Sequence, residues 1–251
     1  FGCTCFGEKS DGRFDRREHS FGTRRLARGL GMERCGAIVD PKGLSGVDIG
    51  FVWAGANYHL QSPDIGLYTH AQGVLNHLFF NDINDAIVVA HSYGGGVLSE
   101  ALVGDEEGRI SHALYLDAFR LEEGQSVAGV QSNELVDGMK KAQQSGEMIP
   151  PRPVETWKDI WGMVGPAVQF AEPRVKPMSP NCFLETVRGD PFSDERKYTY
   201  MRCSQNDNAH FKGYLQASKA DPRFQATEVD GHHNVMVLDP LRMAEAISAA
   251  A

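Results

Sequence analysis

The sequence predicts an α/β chain, a mostly parallel sheet with helices on both faces and a helical cap inserted at about 120–195. Three observations carry that prediction. From residue 85 onward, short runs rich in β-branched residues alternate with segments of helical period. The connections between them are short, as crossover helices between parallel strands require. Between about 120 and 195 the alternation stops, and Pro150, Pro151, Pro153, Pro166, Pro173, Pro177, Pro180 and Pro191 break the chain into short pieces.

At 251 residues the chain can bury a sizeable core, and 41% hydrophobic with 23% charged residues is the balance of a water-soluble globular protein. A formal net charge of −8 argues against nucleic acid as a partner. The arginines between Arg13 and Arg34 are interrupted by Asp15, Glu18 and Glu33, so they read as a solvated face rather than a transit peptide. No run approaches the roughly 18 apolar residues of a membrane helix, so no membrane partner is expected. The cysteines (Cys3, Cys5, Cys35, Cys182 and Cys203) are odd in number and scattered, which suits reduced thiols in a cytoplasmic protein. Cys3 and Cys5 have no companion Cys/His cluster, and no metal is expected.

Element by element, residues 1 to about 46 are dense in Gly and Arg and show no clear strand before Val47–Trp53. Ser62-Pro63-Asp64 is a turn or helix start, and Leu67, Val74, Leu75, Leu78 and Phe79 have helical spacing. A strand over 85–90 leads into Ser92, and a helix carrying Val97, Leu98, Ala101 and Leu102 follows. Ile110–Leu116 is a strand that ends at Asp117. The insertion holds helical pieces near 133–144 and 154–163. A strand at 197–203, a helix near 209–218, a strand at 224–229 and a closing helix at 240–250 complete the chain.

The chemistry centres on Ala90-His91-Ser92-Tyr93-Gly94-Gly95-Gly96. Strand, small-x-Ser-x-Gly and helix together make a nucleophile elbow, in which a strained turn lifts the hydroxyl above the sheet. Ala90 stands where glycine is usual. A serine needs a base to take its proton and an acid to orient that base. Ser92 follows one strand, Asp207 a later one and His233 the last, in the order nucleophile, acid, base. Each has a plainer reading: Ser92 as a helix cap, Asp207 as a solvated loop residue, and His233 as the neighbour of an equally spaced His232. Asp117 is the rival acid; it too ends a strand, one strand earlier, and is expected to be structural or near the site. The Tyr93 backbone N–H is the expected first oxyanion donor, with a second donor unassigned in residues 1–46. In the insertion, Trp157, Ile160, Trp161 and Val164 share a helical face. That stripe is either cap core or, through Trp157 and Trp161, part of a substrate pocket.

From about His59 to its end the chain resembles α/β-hydrolase superfamily esterases, in the branch that includes plant methyl esterases, hydroxynitrile lyases and bacterial relatives. The resemblance rests on His59–Leu67, Ala90–Gly95, Tyr115–Phe119 with Glu123-Gly124-Gln125-Ser126, and His233-Asn234-Val235-Met236 with Asp239-Pro240. It implies an α/β-hydrolase fold whose core is 59–119 and 196–251, with a cap at 120–195. Residues 1–58 would be the N-terminal part of the same domain, either divergent or altered by an upstream reading-frame error, because the family's His-Gly loop is not recognisable there. The resemblance also implies a cofactor-free serine hydrolase acting on small-molecule esters, compatible with a homodimer, with Ser92 as nucleophile, His233 as base and Asp207 as orienting acid. The lyases of this branch carry a lysine directly after the catalytic histidine, whereas this chain has Asn234. Hydrolysis is therefore the leading expectation, ahead of an impaired or receptor-like binding protein and a lyase on the same scaffold.

Overall fold

The computed structural model describes residues 3–8, 45–49 and 55–250. Expectations that fall on residues 9–44 and 50–54, including the second oxyanion donor, lie outside the described residues. Six strands form one sheet: β1 (Cys3–Glu8), β2 (Ser45–Ile49), β3 (Asn84–Ser92), β4 (Ile110–Ala118), β5 (Lys197–Cys203) and β6 (Phe224–Val229), in the order β2-β1-β3-β4-β5-β6. β3 to β6 run parallel, while β1 is antiparallel to both of its neighbours. β1 falls where the sequence shows no apolar run. Its pairing partners lie about 40 and 80 residues away in sequence, so local propensity carries little of its signal. The strand expected at Val47–Trp53 sits at Ser45–Ile49.

The parallel strands show why both faces need helices. Along β4, Ala113 and Tyr115 enter one apolar cluster while Leu114 and Leu116 enter another on the opposite face. On the first face lie α1 (Leu67–Phe80), α2 (Gly94–Gly104) and α7 (Ala209–Ala220), which contribute Leu67, Val74, Leu78, Val97, Leu98, Phe211 and Leu215. α1 buries positions 67, 70, 71, 74 and 78, the stripe that helical period demands. The second face is covered by α8 (Val235–Leu238) and α9 (Pro240–Ala250) through Val235, Met236, Met243 and Ile247.

Between β4 and β5 lies the cap, with α3 (Asn133–Ser145), α4 (Trp157–Trp161), α5 (Pro166–Ala171) and α6 (Asn181–Leu184). α3 starts at the Ser132 cap and stops at Gly146, whose φ of 71° supplies the left-handed turn that ends helices. The helix expected over 154–163 is shorter, a 3-10 turn at Val154–Thr156 followed by α4, which ends at Gly162. Gln61 Nε2 donates to Pro177 O at 2.5 Å and Ser179 Oγ donates to Pro63 O at 2.6 Å, tying the cap to the segment before α1.

Candidate active site

Ser92 ends β3 with φ 55°, a left-handed backbone that is uncommon for a non-glycine residue and costs on the order of 1–3 kcal/mol. Packing holds it there. Phe119 N–H donates to Ser92 O at 3.0 Å, and α2 begins two residues later. That approach needs glycine at position 95, where a Cβ would stand 2.5 Å from Phe119 O and 2.8 Å from Ala118 Cβ. Ala90, at the position where glycine is usual, is fully buried in β3, so its methyl is accommodated by the core.

His233 lies in the loop between β6 and α8. Its Nε2 is 3.1 Å from Ser92 Oγ, and its Nδ1 is 2.7 Å from Asp117 Oδ2. All three residues are buried, with Asp117 at 0% exposure. The imidazole stacks on Phe211 (centroids 5.5 Å apart, 18° between planes) and leans on His91 at 4.4 Å. Burial drives the His91 pKa well below its ordinary value, helped by electrostatic repulsion from His233. The neutral His91 ring then donates Nε2–H to the His233 carbonyl at 2.9 Å and fixes the loop that carries the second histidine.

The carboxylate against His233 is therefore Asp117, not Asp207. The Asp207 side chain is 98% exposed and pairs with Lys212 at 2.8 Å, which holds its pKa below the usual carboxylate range. A register shift explains why Asp117 can reach the histidine. His91 pairs with Leu116 and Ser92 with Ala118, so Asp117 is the extra residue of a bulge, with φ 43°. A bulge re-aims a side chain that strand alternation would direct elsewhere. The sequence did hold a signal for it. A carboxylate inside the buried run Leu114-Tyr115-Leu116-Asp117-Ala118-Phe119 must find partners. Asp117 has three: Cys203 N–H to Oδ1 at 3.1 Å, and His233 Nδ1 and Asn206 Nδ2 (2.5 Å) to Oδ2.

Tyr93, the candidate oxyanion donor, caps the start of α2, where aligned peptide dipoles favour negative charge. Its hydroxyl lies 2.7 Å from His70 Nδ1. Burial pushes His70 down to a pKa of about 3, so the hydrogen bond joins a neutral ring to the Tyr93 hydroxyl. His232 is exposed, and the cap rests beside it: a Cβ on Gly162 would fall 2.2 Å from His232 Cγ. Asn234 Nδ2 donates to the Met163 thioether at 3.0 Å. Trp157 and Trp161 pack on each other at 5.0 Å and join Met163 and Ala171 in an apolar cluster of the cap. Trp157 Nε1–H is also satisfied inside the cap, by Arg152 O at 2.8 Å. The stripe that offered a substrate pocket is thus occupied with packing the cap. Among the described residues no group of three or more His, Cys, Asp or Glu side chains is arranged to hold a metal ion. No helix among them is long and apolar enough to cross a membrane.

The arrangement has the parts of proton-relay chemistry. His233 Nε2 faces the Ser92 hydroxyl, and the Asp117 carboxylate faces Nδ1 and selects the tautomer that leaves Nε2 as a base. All of it stands at the carboxyl ends of the parallel strands, where open α/β sheets bind ligands.

Residues 14–246 match the family model described as the alpha/beta hydrolase family. A carbendazim-hydrolysing esterase from Nocardioides sp. (strain SG-4G) is 25% identical over 207 residues, which span 78% of this chain and 83% of that protein. Among solved structures, an extracellular alpha/beta-hydrolase from a Paenibacillus species aligns with a TM-score of 0.66 at 20% identity, covering 80% of this chain and 85% of its own. That protein is described as sharing structural and functional homology with tobacco salicylic acid binding protein 2. A methylesterase from Arabidopsis aligns with a TM-score of 0.59 at 18% identity, covering 82% and 85% of the two chains. These structural likenesses establish the fold.

Proposed function

The chain belongs to the alpha/beta hydrolase family, and we propose that it is a serine esterase cleaving small carboxylic esters through an acyl-enzyme. One observation carries the reading: the continuous path from Ser92 Oγ through His233 to Asp117, at 3.1 and 2.7 Å, beneath a strained serine. Ser92 Oγ attacks the ester carbonyl as His233 Nε2 takes its proton. The tetrahedral oxyanion is met at the start of α2 by Tyr93 N–H. Collapse expels the alcohol, which receives the proton back from His233 Nε2. Water then repeats the sequence on the acyl-enzyme with His233 again as base, and releases the acid. Asp117 orients the ring through Oδ2 and stabilises the imidazolium.

Hydrolysis is favoured over lyase chemistry by the residue beside the base. Asn234 is buried, and its carboxamide is engaged by Met163, so that position presents no ammonium to a leaving group. The similarity to the carbendazim-hydrolysing esterase of Nocardioides supports ester hydrolysis.

The test is turnover of p-nitrophenyl acetate, p-nitrophenyl butyrate and carbendazim by the purified protein beside Ser92→Ala, together with labelling by a fluorophosphonate probe. The expected result is turnover of at least one ester and labelling at Ser92, both abolished in the variant. No turnover of any ester, or equal turnover by the two proteins, overturns the esterase assignment.

A further inference from the structure

The geometry assigns to Asn206 a positioning role: its amide tethers the Asp117 carboxylate to His233, and position 206 is a second place from which a carboxylate can serve the same imidazole. The inference rests on the Ser92–His233–Asp117 reading above and goes beyond it.

Asn206 lies in the turn after β5, with 8% exposure. Its backbone is held on both sides, N–H to Cys203 O at 3.1 Å and C=O accepting Arg202 Nη1 at 2.6 Å. The orientation of its carboxamide follows from its partners. Asn208 N–H points at one terminal atom at 3.1 Å, so that atom is the oxygen Oδ1, and the amino group Nδ2 faces Asp117 Oδ2 at 2.5 Å. Nδ2 also lies 3.3 Å from His233 Nδ1. That contact is not a hydrogen bond in the working tautomer. Nδ1 carries a proton committed to Asp117, so two donors converge on one oxygen, and Asp117 Oδ2 accepts both.

Two side chains, from the ends of β4 and β5, therefore reach the same ring nitrogen, at 2.7 and 3.3 Å. Exchanging their chemistry gives each of these donors an acceptor once His233 Nδ1–H turns from residue 117, at 2.7 Å, to residue 206, at 3.3 Å. With Asp117→Asn and Asn206→Asp combined, Cys203 N–H still meets Oδ1 of residue 117, and the new amide of 117 donates to the new carboxylate of 206. Asn208 N–H and His233 Nδ1–H then both point at that carboxylate. Either substitution alone breaks the set. Asp117→Asn turns a donor toward the donors of Asn206 and His233 and favours the wrong imidazole tautomer. Asn206→Asp sets two carboxylates against each other across a 2.5 Å contact, where they share one proton.

The experiment measures kcat and KM for p-nitrophenyl butyrate across pH in wild type, D117N, N206D and D117N/N206D. Urea unfolding reports whether each is folded, and proton NMR follows the downfield His233 Nδ1 resonance without requiring turnover. D117N should lose about 10⁴-fold in kcat. The double variant should recover at least about 100-fold of that, and the downfield resonance should be present in wild type and double variant but absent from D117N. N206D should gain an alkaline limb, its rate falling where the shared proton leaves. A merely structural Asn206 would produce neither the limb nor the recovery. A folded double variant no better than D117N overturns the proposal, as does an N206D profile identical to wild type. If no ester is turned over by wild type, the esterase reading fails by itself, and the resonance pattern still decides the role of Asn206.

Discussion

The carboxyl edge of the sheet and the cap are built by opposite means. At the edge, buried polar groups are matched donor to acceptor, and two non-glycine residues, Ser92 and Asp117, hold left-handed backbones. The cap instead closes around a small apolar cluster of its own, led by Trp157, Trp161 and Met163. It meets the edge through Met163 with Asn234, Gly162 beside His232 and Phe183 against Tyr93. The edge derives its precision from packing that overdetermines strained positions, since a Cβ at Gly95 would collide with backbone. The comparable clash in the cap, a Cβ at Gly162, would meet the His232 side chain rather than backbone. Substitutions at the edge should therefore read out in chemistry, and those in the cap core in stability.

That contrast can be broken most directly at the serine. Ser92→Ala should reduce kcat/KM by about 10⁴-fold or more with little change in urea midpoint; a smaller loss would detach the chemistry from the edge. Next in size is the pair of acids. Asp117→Asn should cost about 10⁴-fold in kcat, whereas Asp207→Asn, at an exposed residue, should stay within about twofold. Equal losses would remove the distinction the bulge creates. In the cap, Trp157→Ala should cost about 3–5 kcal/mol of unfolding free energy by urea titration, because a fully buried indole is lost. A wild-type urea midpoint in that variant would show the cap cluster to be loosely packed.

A pH prediction extends the comparison to the supports behind the edge. His70, His91 and His112 all have pKa values lowered chiefly by burial, to about 3 for His70 and about 4 for His112. Their folded values lie below the unfolded value near 6.5, so below that pH the unfolded chain binds more protons. Stability should fall as pH drops from about 6.5 toward 4, reducing the urea midpoint progressively. His70→Gln, which keeps a hydrogen-bonding group beside the Tyr93 hydroxyl, should flatten that slope by up to about one proton; an unchanged slope would mean His70 is not held neutral. The smallest expected effect is Lys212→Ala, which breaks an exposed pair with Asp207 and should leave both the urea midpoint and the rate close to wild type.

Much of this was legible in the chain. The run from 85 to 104 announces strand, turn and helix because β-branched residues, a serine among small neighbours and three glycines are local signals that no distant contact needs to complete. The same holds for β5, α7, β6 and α9, whose periodicity matches their observed spans closely. β1 was not legible, since Cys3–Glu8 has no apolar pattern of its own and exists as a strand by pairing with β2 and β3.

At the candidate site, turn chemistry points to Ser92 and the resemblance of the segment after His233 points to that histidine, and the structure sets the two side chains 3.1 Å apart. Spacing alone did not separate the two candidate acids, although the buried run around Asp117 carried a hint. Asp117 and Asp207 both follow strands in the required order, and one-dimensional spacing treats them alike. Folding separates them, because the one-residue bulge in β4 turns Asp117 inward to the imidazole while Asp207 points to water and Lys212. The amide neighbour Asn206, adjacent in sequence to the discarded candidate, lies against that same carboxylate. Local patterns write the strands and the turn into the chain; which carboxylate meets the histidine depends on register between strands far apart in sequence, and register is a property of the packed sheet.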